Sequence, residues 1–206
     1  MGMRIESEPV IHELRVDAES TYRVYEVDQG NLEATCQVLS RREHGSGHTV
    51  PLVVSHMPLP STGSARLPMD VPWLAVSRTV VDTLQALREN LVEPVLRPGL
   101  VGVDFADYAS ALSRGGEIHA WSARGLDEAG CVARLAEAVG HRRIAAACLH
   151  IRSPVPFGLG SFDETCVSIQ RHFPELAGDE CLFVVAVTPE ERMDVGFSLL
   201  IVSGRK

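Results

Sequence analysis

Apolar positions recur with helical spacing in the middle of the chain and predict its strongest helix. The helix predicted over Thr79–Leu96 carries apolar side chains at every third or fourth position, namely Val80, Leu84, Leu87, Leu91 and Val95. A helix of this pattern buries one face, and Pro94 should bend only its last turn. The pattern therefore predicts that Val80, Leu84, Leu87 and Leu91 are buried.

The other patterns of the first half predict a small, mostly parallel sheet. Residues rich in β-branched and aromatic side chains predict strands over Tyr22–Val27, Val50–Ser55 and Trp73–Ser77. A helix is predicted over Asn31–Arg42, with one apolar face formed by Leu32, Thr35, Cys36 and Leu39. Residues 1–20 give no firm element, and the proline-rich stretch 57–72 is predicted to be a loop.

The second half predicts an α+β layer, in which helices pack on a face of one four-stranded sheet. Helices are predicted over Asp104–Ser113 and Asp127–Val139, and a third begins with a capping box over Ser161–Glu164. The predicted strands are Glu117–Ser122, Ala145–Ile151, Cys181–Thr188 and Val195–Ser203. The last two flank a polar turn and are expected to form an antiparallel hairpin.

Composition and charge narrow the class of protein. Of 206 residues, 45% are apolar and 22% charged, which is typical of globular chains, and the net charge of −8 disfavours nucleic acid as a partner. No apolar run reaches the ~20 residues that a membrane span needs, and no signal peptide is visible at the N-terminus. Five cysteines without a CxxC pair indicate reduced thiols. We therefore expect a cytoplasmic protein.

The segment Pro98–Asp107, PGLVGVDFAD, contains the acids with the best claim to chemistry. From their spacing alone, Asp104 and Asp107 are an N-cap residue and an acid at the third helical position, both of which stabilise a helix N-terminus. From spacing alone, helix capping is the preferred interpretation.

This segment resembles the loop that follows the central helix in FtsZ, the bacterial relative of tubulin. The family's usual form is PGLINVDFADV, and eight of the ten positions from Pro98 to Asp107 match it. The resemblance continues along the family's C-terminal order and is good over residues 79–206. It implies that the loop, with Pro98, Gly99, Gly102, Asp104, Phe105 and Asp107, enters the nucleotide pocket of the next subunit, where its acids assist attack on the γ-phosphate.

The chain departs from the family where FtsZ binds GTP. FtsZ uses a glycine-rich loop, GGGTGTG, between a strand and a helix, whereas the corresponding junction here, Val27–Leu32, has one glycine and an Asp28 that would repel phosphate. The pairs at Gly45–Gly47 and Gly158–Gly160 are too short to replace it. In the loop, Gly102 stands in place of the family's Asn. We expect no GTP binding, no cofactor and no catalytic residue.

Histidines are the remaining candidates for ligand binding. His44 and His48 are spaced by four residues in a loop with two glycines, with His56 nearby, but no helix fixes their rings toward one ion. A solvated loop is the preferred interpretation, so no metal is expected. His119 and His150 lie in predicted strands and are interpreted as satisfied or surface side chains.

Together these features predict a bacterial, cytoskeletal FtsZ-like protein without GTP-binding motifs. Residues 1–78 would be a reduced, Rossmann-like remnant of the nucleotide domain, 79–97 the central helix, and 98–206 the C-terminal α+β domain. Its expected role is association with a full-length FtsZ-type subunit, in cell division, or with itself. Two alternatives stay open: a GTPase completed in trans by a partner, and a module for an unrelated ligand on the same fold.

Overall fold

Eight strands form one mixed sheet that runs through the whole protein. The computed structural model describes residues 8–41, 48–59, 67–76, 79–97, 99–125, 128–139, 143–154, 158–178, 180–191 and 194–203. The strands are β1 (Val10–Arg15), β2 (Thr21–Val27), β3 (Thr49–Ser55), β4 (Pro72–Ala75), β5 (Gly116–Gly125), β6 (Ile144–Pro154), β7 (Leu182–Glu190) and β8 (Val195–Ser203). Their order across the sheet is β1-β2-β3-β4-β5-β8-β6-β7.

The helices are amphipathic and cover both faces of this sheet. They are α1 (Leu32–Ser40), α2 (Val80–Leu87), α3 (Glu93–Leu96), α4 (Phe105–Leu112), α5 (Glu128–Val139) and α6 (Leu159–His172), with a short 3₁₀ turn over Pro174–Ala177. A π-helical turn, Arg88–Val92, joins α2 to α3, and we call residues 80–96 the central helix. None of the described helices is both long and apolar enough to cross a membrane.

The core sits on either side of the sheet, in two layers. The central helix and α4 pack on one face, where Leu87, Leu91, Tyr108 and Leu200 are fully buried. On the opposite face, α1 packs over β2 and β3, while α5 and α6 pack over the four C-terminal strands. This arrangement confirms the α/β to α+β class, with a four-stranded C-terminal sheet continued by a mostly parallel N-terminal one.

The central helix follows its apolar pattern and departs from it at Pro94. Leu87 and Leu91 are fully buried, whereas Val80 and Leu84 are only half-buried. The turn before Pro94 widens into the π-helical Arg88–Val92, so the irregularity begins earlier than the predicted last turn. Proline has no N–H to donate to the carbonyl four residues back, and a widened turn accommodates that loss.

Two expectations about the fold are wrong, and one strand was not predicted. The strands β7 and β8 do not form a hairpin, because β6 lies between them and pairs parallel with β7 and antiparallel with β8. Residues 10–15, for which no element was expected, form the edge strand β1 and pair antiparallel with β2. Helix α6 begins at Leu159, before the predicted capping box, with Gly158 at its N-cap and no side-chain cap.

Candidate functional site

The loop before α4 is held against the C-terminal sheet by backbone contacts. The N–H of Leu100 donates to the carbonyl of Val187 at 2.9 Å, and Val101 and Val187 form an isolated β-bridge. A Cβ added to Gly99 would lie 2.5 Å from that same carbonyl oxygen, so glycine is required for this close approach. Around Gly102 there is open space. Pro98, the first residue of the predicted site, lies outside the described residues.

Both acids of the loop take part in capping α4. The carboxylate of Asp104 accepts from the N–H of Asp107 at 2.9 Å, and the carboxylate of Asp107 accepts from the N–H of Asp104 at 3.0 Å. This reciprocal capping box satisfies two N–H groups that the helix itself leaves unpaired. The helix-capping interpretation is therefore correct, and both carboxylates nevertheless remain exposed to solvent.

Phe105 anchors the loop to the interior. Its side chain is buried, and its ring centroid lies 5.0 Å from that of Tyr22 on β2. The Tyr22 hydroxyl in turn donates to the Leu91 carbonyl of the central helix at 3.5 Å. The sequence motif thus contains residues of two kinds: Gly99 and Phe105 fix the loop, while Asp104 and Asp107 face solvent.

The junction between β2 and α1 is filled by its own polar side chains. The carboxylate of Asp28 accepts from the N–H of Gly30 at 2.7 Å and from the N–H of Asn31 at 3.1 Å. The side-chain oxygen of Asn31 accepts from the N–H of Asp28 at 3.0 Å. Three backbone donors at the strand-to-helix junction are thus already paired within the loop.

Two of the histidine candidates contact different acids, since Nε2 of His48 lies 4.0 Å from a carboxylate oxygen of Glu19 and His56 contacts Glu26. His56 and His12 both contact Glu26, with nitrogen–oxygen distances of 2.7 and 3.1 Å, and these hydrogen bonds lower the pKa of Glu26. His119 stacks on Trp121, and His44 lies outside the described residues. In the part of the chain that the structure describes, no three His, Cys, Asp or Glu side chains are grouped to hold a metal ion. All five cysteines are free thiols.

A polar cleft that the sequence reasoning missed lies between the central helix and the C-terminal strands. Its lining consists of Glu89, Glu93, Arg97, Arg124, Arg152, Pro189, Glu190 and Glu191. The signal in the sequence is the pair His150 and Arg152, two polar residues on the same face of strand β6, which is apolar over residues 144–149.

His150 is buried next to this cleft, and its Nε2 lies 3.0 Å from the Thr188 hydroxyl. Burial, followed by the positive charge of Arg152, lowers the pKa of His150 to about 4. The expectation of a satisfied histidine is met only at Nε2, because Nδ1 is buried without a hydrogen-bond partner among the described residues.

Solved structures with a similar fold include three from the FtsZ, TubZ and CetZ proteins. An empty FtsZ dimer of M. jannaschii aligns with a TM-score of 0.58 at 16% identity, over 90% of this chain and 64% of that chain. TubZ of Bacillus thuringiensis serovar israelensis, in GDP-form protofilaments, aligns with a TM-score of 0.57 at 11% identity, over 87% and 61%. CetZ from Methanosaeta thermophila aligns with a TM-score of 0.52 at 12% identity, over 90% and 61%.

These similarities show that the chain has an FtsZ/tubulin-like fold, as its loop motif predicted. The chain spans less than two thirds of the length of each of these three proteins. No protein-family model matches the sequence, and no curated protein matches it either.

Proposed function

We propose that this chain is a non-catalytic FtsZ-like protein that acts through protein–protein association. It caps or modulates filaments of an FtsZ-type partner in a bacterial cell, in the context of cell division, or it associates with itself. The observation that carries the proposal is the β2–α1 junction, where the carboxylate of Asp28 occupies the backbone donors that a phosphate would need.

Phosphate binding at a strand-to-helix junction depends on backbone N–H groups that point toward the ligand. The N–H groups of Gly30 and Asn31 already donate to a carboxylate at 2.7 and 3.1 Å. A phosphate at this place would have to displace Asp28 and then lie against its negative charge. The repulsion between the two negative charges would weaken phosphate binding. This supports a chain that does not bind GTP by itself.

The loop before α4 is the surface that would dock on a partner, because its side chains are exposed while its backbone is held against β7. Leu100, Gly102, Asp104 and Asp107 are all exposed, while Gly99 and the bridge at Val101 fix the loop against β7. An FtsZ-like subunit with this loop and no nucleotide face would dock at one end of a filament and offer nothing to the next subunit. A filament grows because each subunit has two different ends, and one end binds the other end of the next subunit. A subunit that lacks one of these ends stops growth.

The principal rival is a GTPase whose site is completed by a partner, with Asp104 and Asp107 acting in trans. Its support is the solvent exposure of both carboxylates. Against it, each carboxylate already accepts one backbone hydrogen bond in the capping box, which explains both acids without catalysis. Hydrolysis of GTP by an FtsZ-type partner, measured with and without this chain, distinguishes the two: capping lowers the rate per partner subunit, whereas completion in trans raises it.

Calorimetric titration of the isolated chain with GTP and Mg²⁺ tests the first half of the proposal. We expect no saturable heat, because the junction donors are occupied. Saturable binding in the micromolar range, abolished by excess GDP, would overturn it.

Light scattering of a polymerising FtsZ-type protein, with this chain at a substoichiometric ratio, tests the second half. We expect reduced extent and shorter filaments, since only ends need to be occupied. The variant Asp104→Ser/Asp107→Gln retains both partners of a capping box and removes both charges. It therefore distinguishes an effect of the charge on the exposed loop from an effect of helix stability. If neither the wild type nor this variant changes polymerisation, filament capping is wrong; sedimentation of the chain alone then tests self-association.

A further inference from the structure

The polar cleft has a volume of about 500 Å³ and lies on the face of the sheet that also carries the main core. Along β6 that face is apolar at Cys148 and becomes polar at His150 and Arg152. On β8 it changes in the same way, from Leu200 to Ser198. Alternate residues of a strand share a face, so the polar ends of both strands meet under the central helix.

Most charges of the cleft pair with one another. Glu190 accepts from Arg97 and from Arg124, each at 3.3 Å, and Glu93 lies 3.4 Å from Arg97. Asp194 adds a contact of 3.8 Å to Arg124. These three carboxylates pair with two of the three guanidinium groups that line the cleft.

Arg152 is the exception among the described residues. Its side chain is only 5% exposed, and its Nη2 donates to the neutral Ser198 hydroxyl at 2.6 Å. Its Nε is buried without a hydrogen-bond partner, and none of the ion pairs between described side chains includes it. The carboxylates of Glu190, Glu89 and Glu93 attract Arg152 from a distance, but none of them is in direct contact with it. Burial of the guanidinium is costly, and an oxyanion in direct contact would offset more of that cost.

A second observation places another cation next to this one. A Cβ added to Gly196 would lie 3.3 Å from Nε of Arg152 and 3.3 Å from Cζ of Arg124. Glycine therefore leaves room for both guanidinium groups over one backbone position of β8. The two positive charges repel each other. Glu190 and Asp194 offset this repulsion at Arg124, and an oxyanion beside Arg152 would offset it there.

We propose that this cleft is a binding site for a small ligand with one oxyanion group, a carboxylate or a phosphate, which accepts from the guanidinium of Arg152 beside Arg124. Glu93 on the central helix and Arg97 directly after it also line the site. Glu89 and Glu191, which line the cleft without forming an ion pair in the described part of the chain, disfavour a ligand with several negative charges. This site is separate from the β2–α1 junction and from the loop before α4.

Nitrogen-15 NMR of the full chain labelled at arginine tests the assignment directly, because each Nε–H gives its own resonance. Acetate and inorganic phosphate are the two probes, titrated at constant ionic strength maintained with sodium chloride. We expect the Arg152 resonance, assigned through bond connectivity, to shift in a saturable way, while that of the exposed Arg171 on α6 stays unchanged. A response to one probe but not the other identifies a planar or a tetrahedral oxyanion and supports the site in either case.

The variant Arg152→Lys keeps the positive charge and removes the guanidinium, and Arg171→Lys is its matched control on the opposite face of the C-terminal sheet. We expect the affinity for the responding probe to fall at least about tenfold in the first variant and to stay unchanged in the second. If Arg152→Lys does not fold, the wild-type titration still decides. The proposal is overturned if the Arg152 resonance does not respond to either probe, or if all arginine resonances shift together without saturation.

Discussion

Acidification should destabilise this protein through His150, and the structure gives the size of the effect. The ring is buried against Thr188 on β7, with Arg152 on its own strand and Glu89 on the central helix facing the same region. Burial and the charge of Arg152 lower the pKa of His150 from its ordinary 6.5 to about 4. The folded protein therefore holds the ring neutral under conditions in which the unfolded chain protonates it.

The sign follows from the direction of this shift. Because the folded pKa lies below the unfolded one, the native state binds fewer protons between pH 7 and pH 4, and stability falls as the pH is lowered. The two pKa values of 6.5 and about 4 give a loss of about 2 kcal/mol of unfolding free energy on going from pH 7 to pH 5. Little of the effect is present above pH 7, where His150 is neutral in both states.

Urea unfolding at pH 7, 6 and 5, followed by circular dichroism, measures the loss. The control is His150→Gln, which keeps a hydrogen-bonding side chain next to Thr188 and cannot titrate in this range. Other groups titrate equally in both proteins, so the wild type should lose about 2 kcal/mol more than the variant between pH 7 and pH 5. Parallel pH dependences would refute the reasoning, because they would mean that His150 is accessible to protons in the folded state.

Two matched pairs of substitutions test the packing that positions the candidate site. Leu87→Ala removes a fully buried side chain and should lower the free energy of unfolding by about 2–5 kcal/mol, whereas Val81→Ala, at a residue 74% exposed on the same helix, should change it by less than about 0.5. Gly99→Ala places a Cβ 2.5 Å from the Val187 carbonyl oxygen and should cost about 1–3 kcal/mol, whereas Gly102→Ala enters open space and should cost less than about 0.5. Chemical denaturation measures all four, and equal effects within either pair would contradict the corresponding contact.

The sequence predicted correctly those features that depend on residues only a few positions apart in the chain. In α1, the four residues assigned to one face, Leu32, Thr35, Cys36 and Leu39, are the four that are buried. The capping box of Asp104 and Asp107 was also readable, since its partners lie three residues apart. Both features depend on local spacing, which the sequence states directly.

The neighbours of each strand could not be read in the same way. The strands β7 and β8 run antiparallel and are joined by a short connection, which is typical of a hairpin, yet β6 lies between them. Both β6 and β8 are buried along most of their length, and each needs a strand on either side to pair its backbone groups. The half-exposed residues of β7 suit the edge of the sheet, a consequence of long-range pairing that periodicity does not encode.

The cleft was missed for a related reason. Arg124, Arg152 and Glu190 come from three strands, and only the completed sheet brings them under the central helix. Each residue taken singly resembles a solvated charge. The pair His150 and Arg152 was the available signal, because two polar side chains on one face of a buried strand require partners from elsewhere in the fold.

The β2–α1 junction and the cleft differ in whether their polar groups already have hydrogen-bond partners within the protein. At the junction, Asp28 and Asn31 pair each other's backbone groups, so the described loop closes on itself and needs no ligand. In the cleft, the sheet buries Arg152 but supplies only a hydroxyl to one of its nitrogens and leaves Nε without a partner. A ligand gains most binding free energy where it forms hydrogen bonds to groups that folding has already desolvated. The cost of desolvating those groups is then part of folding and not of binding. This contrast is why the ligand site that we propose lies between the central helix and the C-terminal strands, on a fold similar to those of FtsZ, TubZ and CetZ.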